Sequence, residues 1–170
     1  MQKRNLFTLL FISVFIIFSC GENPDQTEFE KEAHAQPSGY SQTDDRGNIV
    51  NDDPDDWRIA PRFSGDIEFS LPPYPNPSVT QTIRFEMLIG GLNSIYGASI
   101  YVRRTNGTYK ILRSNRQAPL PTGLIQFNID PLELSQDFEL YQIDNLYRIF
   151  IYDNNENLIT YGDIKIGQVE

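Results

Sequence analysis

Beyond residue 78 no long stretch of this chain repeats its apolar residues with the 3.6-residue period of a helix. The apolar residues alternate instead, in short runs closed by Pro, Gly or Asn, and that pattern can be buried only as β structure. The change of character falls at Leu71 to Leu88, LPPYPNPSVTQTIRFEML. Pro72, Pro73, Pro75 and Pro77 have no backbone N–H to give, so the approach reads as extended and unpaired. From Val79 the chain alternates, with Ile83, Phe85 and Met87 on one face and Thr82, Arg84 and Glu86 on the other.

Further strands follow on the same criterion. Ala98, Ile100 and Val102 oppose Ser99, Tyr101 and Arg103, and Asn106-Gly107 predicts a type I′ hairpin into a return strand carrying Tyr109 and Ile111 inward. Ile125, Phe127 and Ile129 mark another strand, stopped by Pro131. Leu146 to Tyr152 is apolar on both faces, as a central strand should be. In Leu158 to Ile166 the inward phase shifts from Ile159 and Tyr161 to Ile164 and Ile166, which predicts a bulge at Gly162. Pro131 to Asn145 fits either a turn of helix followed by a strand or a packed loop. About seven strands in all predict an antiparallel immunoglobulin-like β-sandwich over residues 59–170.

The 170-residue chain carries a net charge of -9, unevenly spread. Residues 21–58 hold eleven acids against Lys31, Arg46 and Arg58, a balance of -8, whereas 59–170 hold twelve acids against nine bases. There is no basic stripe, so nucleic acid is not an expected partner. The single cysteine, Cys20, excludes an intramolecular disulfide. It follows Lys3-Arg4 and an apolar run from Leu6 to Phe18 that is too short to span a bilayer. Ile17-Phe18-Ser19-Cys20 resembles the lipobox of bacterial lipoproteins. That resemblance implies a signal peptide over 1–19, lipidation of Cys20, and a membrane partner reached through the lipid. Gly21 stands where an inner-membrane retention aspartate would, which directs the expectation to the outer membrane, on its periplasmic or its outer side.

Residues 20–58 are sparse in apolar side chains and read as an acidic disordered tether, with an end-to-end distance of about 35 Å. Asp52, Asp53, Asp55 and Asp56 are the sharpest charge cluster and are candidate calcium ligands, although Pro54 limits their convergence and the spacing is not that of an EF-hand. No cofactor is expected. His34, the only histidine, falls in the predicted tether, so histidine-based catalysis or a histidine zinc site in the domain is not expected. Asp130, Glu133, Asp137 and Glu139 are the carboxylates a glycoside hydrolase could draw on, but they read as soluble surface.

Tyr74-Pro75-Asn76-Pro77, then Gln81-Thr82-Ile83-Arg84-Phe85-Glu86, then Ile100-Tyr101-Val102 with Asn106-Gly107, resembles the immunoglobulin-like FlgD-like and type IX secretion sorting modules over Leu71 to Ile166. The chain departs from them at Asn145-Leu146-Tyr147, where a glycine is common, and in the length of Pro131 to Asn145. The resemblance implies the immunoglobulin-like fold more than the sorting role, and the absence of a catalytic constellation in the residues points to a non-catalytic module. On residues alone, Tyr101, Tyr141, Phe150 and Tyr152 fall on the phase opposite the core, unless the 131–145 segment covers them, and Arg103 belongs to a basic group with Arg104, Arg113 and Arg116. The expectation is a lipid-anchored protein that is not an enzyme and meets an envelope or surface protein partner. The alternative is a surface glycan- or calcium-binding module.

Overall fold

In the computed structural model, residues 23–91 and 95–168 are described; the signal-peptide reading and Cys20 lie outside them. Seven strands build the body: β3 (Ile67–Glu68), β4 (Ile83–Ile89), β5 (Ala98–Arg103), β6 (Tyr109–Asn115), β7 (Gly123–Ile129), β8 (Leu146–Tyr152) and β9 (Leu158–Lys165). They form an antiparallel sandwich, one sheet ordered β3-β4-β7 and the other β6-β5-β8-β9. Counting the seven in sequence, the first, second and fifth share one sheet and the third, fourth, sixth and seventh the other, which is the strand sorting of a constant-type immunoglobulin sandwich except that the fourth strand pairs with the third instead of joining the first sheet. A two-stranded ribbon, β1 (Gln42–Thr43) with β2 (Ile49–Asn51), and two short helices, α1 (Pro24–Ala33) and α2 (Pro131–Ser135), are added to it.

Alternation explains the core. Ile83, Phe85, Met87 and Ile89 turn from β4 toward the second sheet, whose inward residues include Ile100, Val102, Ile149, Ile151 and Ile164, all buried. Burial of each such side chain contributes about 1.5–3 kcal/mol. Two phase readings need correcting. A register shift between Ile100 and Tyr101 turns β6, so Leu112 is its buried residue while Tyr109 and Ile111 are exposed. No bulge occurs at Gly162, which pairs regularly with Ile149. β9 is buried on both faces because a second layer covers its outer side.

That layer is the stretch expected to be a free tether. Residues 23–58 belong to the folded body, so the tether reading of 20–58 is corrected from Asn23 onward. Asn23 caps α1 by accepting from the Asp25 amide at 3.1 Å, and Pro24 opens the first turn. Phe29 and Ala33, four residues apart and thus on one helix face, are both buried. Phe29 packs on Tyr161 with ring centroids 5.1 Å apart. A helix this short is marginal alone, and it is the sheet that holds it.

The remainder of the segment closes the open edge of β9. Trp57 N donates to Tyr161 O and Ala60 N to Ile159 O, both at 2.8 Å. The Trp57 ring sits 5.4 Å from that of Phe85, over the bare backbone of Gly162, where a Cβ would overlap the indole. The proline-rich approach is paired as well, against expectation. Tyr74 exchanges backbone bonds with Arg84, and Asn76 with Thr43. The fully buried Asn76 amide donates to Ser41 O and Asp163 O and accepts from the Lys165 amide, joining ribbon, approach and last strand.

Pro131 to Asn145 resolves into α2, capped by the Asp130 carboxylate, and a loop anchored by Leu134 and Leu140. The β5–β6 turn keeps only Gly107 at positive φ, with Asn106 Oδ1 accepting from the Thr108 amide, so it is not the type I′ turn the Asn-Gly pair suggests.

Candidate functional site

The outer face of the β6-β5-β8-β9 sheet carries the chain's densest polar and aromatic arrangement. Arg148, on β8, is 6% exposed and gives two parallel bonds to Asp163 on β9, Nε to Oδ1 at 2.9 Å and Nη2 to Oδ2 at 2.7 Å. Its remaining nitrogen, Nη1, donates to the carbonyls of Glu32, Ala33 and Ala35 at 3.1, 3.4 and 3.2 Å. Those carbonyls lie at and just beyond the C-terminal end of α1, where a cation is favoured by the helix dipole; Glu32 O also accepts from the Ala35 amide at 3.0 Å. One guanidinium therefore fastens the helix to the sheet. Arg58 supports the same contact by pairing with Glu32 and donating to the Tyr161 hydroxyl at 2.9 Å.

The four aspartates proposed as calcium ligands are dispersed by this docking. Asp56 turns inward and accepts from the amides of Ser41 at 2.8 Å and Asp163 at 3.0 Å, while Asp52 and Asp55 are exposed and the Asp53 carboxylate accepts from the Asp55 amide. Burial, with the Asp163 carboxylate beside it, pushes the Asp56 acid up to about 8. Among the described residues no group of three or more His, Cys, Asp or Glu side chains is placed to hold a metal ion.

The basic group around the β5–β6 hairpin is met by the acids of the 130–139 segment. Arg113 forms a two-pronged pair with Glu133 at 2.6 and 2.8 Å, Lys110 pairs with Asp137 at 2.9 Å, and Arg104 lies 3.7 Å from Glu139. The bonds from Arg113 and Lys110 hold Glu133 and Asp137 below the usual carboxylate range. Arg103 lies over the Tyr141 ring at 4.3 Å and donates to His34 O at 3.2 Å.

The aromatic residues divide into two sets. Phe150 is fully buried, which corrects its reading as a binding residue. It is covered by the His34 ring, stacked at 5.5 Å and 27°, and flanked by Tyr109 edge-on at 5.3 Å. The cover is therefore α1 and its C-terminal residue rather than the 131–145 segment. Tyr141 stays beside Arg103, at the end of the hairpin and away from the remaining rings.

Tyr101 and Tyr152 are half-buried, each packed against the core. Together with Tyr109, Asp153 and Glu156 they line a cup of about 320 Å³. Tyr101 meets Tyr152 at 5.6 Å and 87°, so the rings form walls at right angles. The Tyr109 hydroxyl lies 3.1 Å from His34 Nδ1, and burial with Arg103 nearby holds the imidazole below its ordinary value. Asp153 organises the β8–β9 turn by accepting from the amides of Asn155 and Asn157 at 2.9 and 2.8 Å. Glu156 occupies a left-handed position in that turn, φ +64°, where a side chain costs about 1–2 kcal/mol and glycine costs nothing.

No family model, no curated protein and no solved structure matches the chain. The site is read from its own geometry. The outward phase of β5 and β8 pointed to Tyr101 and Tyr152. Sequence reasoning missed Tyr109, because the register shift that exposes it leaves no mark in the alternation, and His34, which was assigned to the tether. Glu156 had one usable signal: a non-glycine residue inside the Asn-rich turn Asp153 to Asn157.

Proposed function

We propose that this chain is a lipid-anchored, non-catalytic protein of a Gram-negative envelope whose immunoglobulin-like sandwich serves recognition or assembly. The observation that carries the reading is the cup. Three tyrosine rings fixed on rigid strands offer large amphipathic contact area with little side-chain entropy left to lose. The strand sorting supports kinship with FlgD-like modules, and the lipobox-like Ile17-Phe18-Ser19-Cys20 supports the anchor.

Docking of residues 23–58 changes the geometry of that anchor. Cys20 precedes Asn23 by three residues, at most about 11 Å of chain, in place of the 35 Å a free tether would allow. The sandwich then stands directly on the headgroups.

Two measurements test the proposal. Membrane association should be lost in Cys20→Ser; association that survives the substitution refutes the anchor. For recognition, a photo-crosslinking residue placed at position 156 in cells should give an adduct that position 88, on the opposite sheet, does not, and Tyr109→Ala should abolish it. Equal adducts at both positions, or none, refute the role of this face.

A further inference from the structure

We propose that the tyrosine cup is a binding site for an organic monocation, an alkylated ammonium group, held against the rings of Tyr101, Tyr109 and Tyr152 and neutralised by Glu156 and Asp153. This rests on the reading of the cup as the recognition site and names what it recognises. The lining is three aromatic rings and two carboxylates, with no basic residue among them. Aromatic faces attract cations through their quadrupole, most strongly for alkylammonium groups, which are weakly hydrated and offer methyl surface to the rings.

The ring geometry selects a compact cation over a sugar. A pyranose stacks on a flat platform, whereas Tyr101 and Tyr152 stand at 87°, and Tyr109 stands at 86° to the buried Phe150 ring, which lies within 25° of the plane of Tyr152. Such walls surround a roughly spherical group. Ile111, the cross-strand partner of Tyr101 and half exposed, adds apolar surface beside that ring. The cup's volume is at the small end for ligand sites and suits a headgroup.

The charges around the cup agree. Asp153 spends its oxygens on its own turn, whereas the Glu156 carboxylate accepts no hydrogen bond from the described residues. Glu30 on α1 adds a third negative charge that bears on both Tyr152 and His34. Arg103, whose charge reaches Tyr109, does not line the cup: its guanidinium is engaged by the Tyr141 ring and the His34 carbonyl. Glu156 retains a carboxylate at a backbone position that favours glycine, and that carboxylate lines the cup.

The test is a titration of the folded chain from Asn23 onward with tetramethylammonium chloride, at constant ionic strength against sodium chloride, read from the tyrosine ring resonances. N-acetylglucosamine is titrated in parallel. Saturable shifts at Tyr101, Tyr109 and Tyr152 with the cation alone are expected. Tyr152→Ala should weaken binding roughly three- to thirtyfold. Glu156→Gln, an exposed change that leaves the fold intact, should weaken it several-fold.

Vesicles of phosphatidylcholine against phosphatidylglycerol then distinguish a lipid headgroup from a free ammonium compound as the source. Shifts with the sugar and not the cation overturn the proposal while leaving a recognition site in place. Shifts with neither, or cation binding unaffected by Glu156→Gln and by Tyr152→Ala, also overturn it, whatever the crosslinking from position 156 shows.

Discussion

Replacing Arg148 with methionine keeps the length of the side chain and removes its charge and five hydrogen bonds. Two of these end on Asp163, which is 1% exposed and has no other cation within pairing distance among the described residues. Stripping one member from a buried ion pair costs about 3–5 kcal/mol, because the abandoned charge is left without water or partner. The other three bonds end on the carbonyls after α1, near solvent, and are worth about 1 kcal/mol each or less. For a domain of this size 1 kcal/mol moves the melting point by about 2–4 °C, so Arg148→Met should lower it by roughly 6–20 °C. The double variant Arg148→Met/Asp163→Leu removes both charges, and should recover most of that loss while retaining the deficit at the helix end. Urea unfolding followed through Trp57 emission and far-ultraviolet circular dichroism measures both. A loss below about 1 kcal/mol for the single variant, or a double variant no better than the single, refutes the clamp.

Two further expectations concern the same layer. Asp56 is held up to about 8 against an ordinary 3.8, so it contributes nothing below the lower value, where it is protonated folded or unfolded. Above it the unfolded chain releases the proton first, and stability falls as pH rises until about pH 8, beyond which the penalty is complete. Asp56→Asn should flatten that decline in a melting series between pH 5 and 9, and a wild-type melting point that rises over this range contradicts the assignment. Glu133 and Asp137, held low, act in the opposite sense: their contribution is present above the ordinary carboxylate values and lost in acid. Gly162→Ala should push Trp57 off the sheet, at a cost of about 1–3 kcal/mol and with red-shifted emission; unchanged stability and emission would show that the indole is not seated there.

The sandwich was legible because β4, β5, β7 and β8 announce themselves by alternation or by an unbroken apolar run, and the turns by Pro, Gly and Asn. What was hidden has particular causes. α1 contributes only Phe29 and Ala33 to the core, too few to stand out against five acids between residues 22 and 35. The apolar phase shift in β9 was real, but a helix covers its outer face and Trp57 its inner one, and the strand's register shift falls between Leu158 and Thr160 rather than at Gly162. Asn76 was read as part of a proline motif, whereas its amide is the buried junction of three segments. In the site, alternation gave the outward rings of β5 and β8. It could not give those that depend on a shifted register or on a residue over a hundred positions away in the chain.

The helix clamp and the closed edge of β9 bring together residues far apart in sequence: Arg148 holds Ala33, Tyr161 holds Trp57, and Asp163 holds Asn76. Contacts of such high order must wait for loop closure, and they make folding slow and concerted. A nascent chain has no surface for its own beginning to settle on until its last strand has been made. The first thirty residues of the body are thus the last to lock. The N-terminal layer of a protein built this way stays undocked until its synthesis ends, so the segment made first is the one longest open to other contacts.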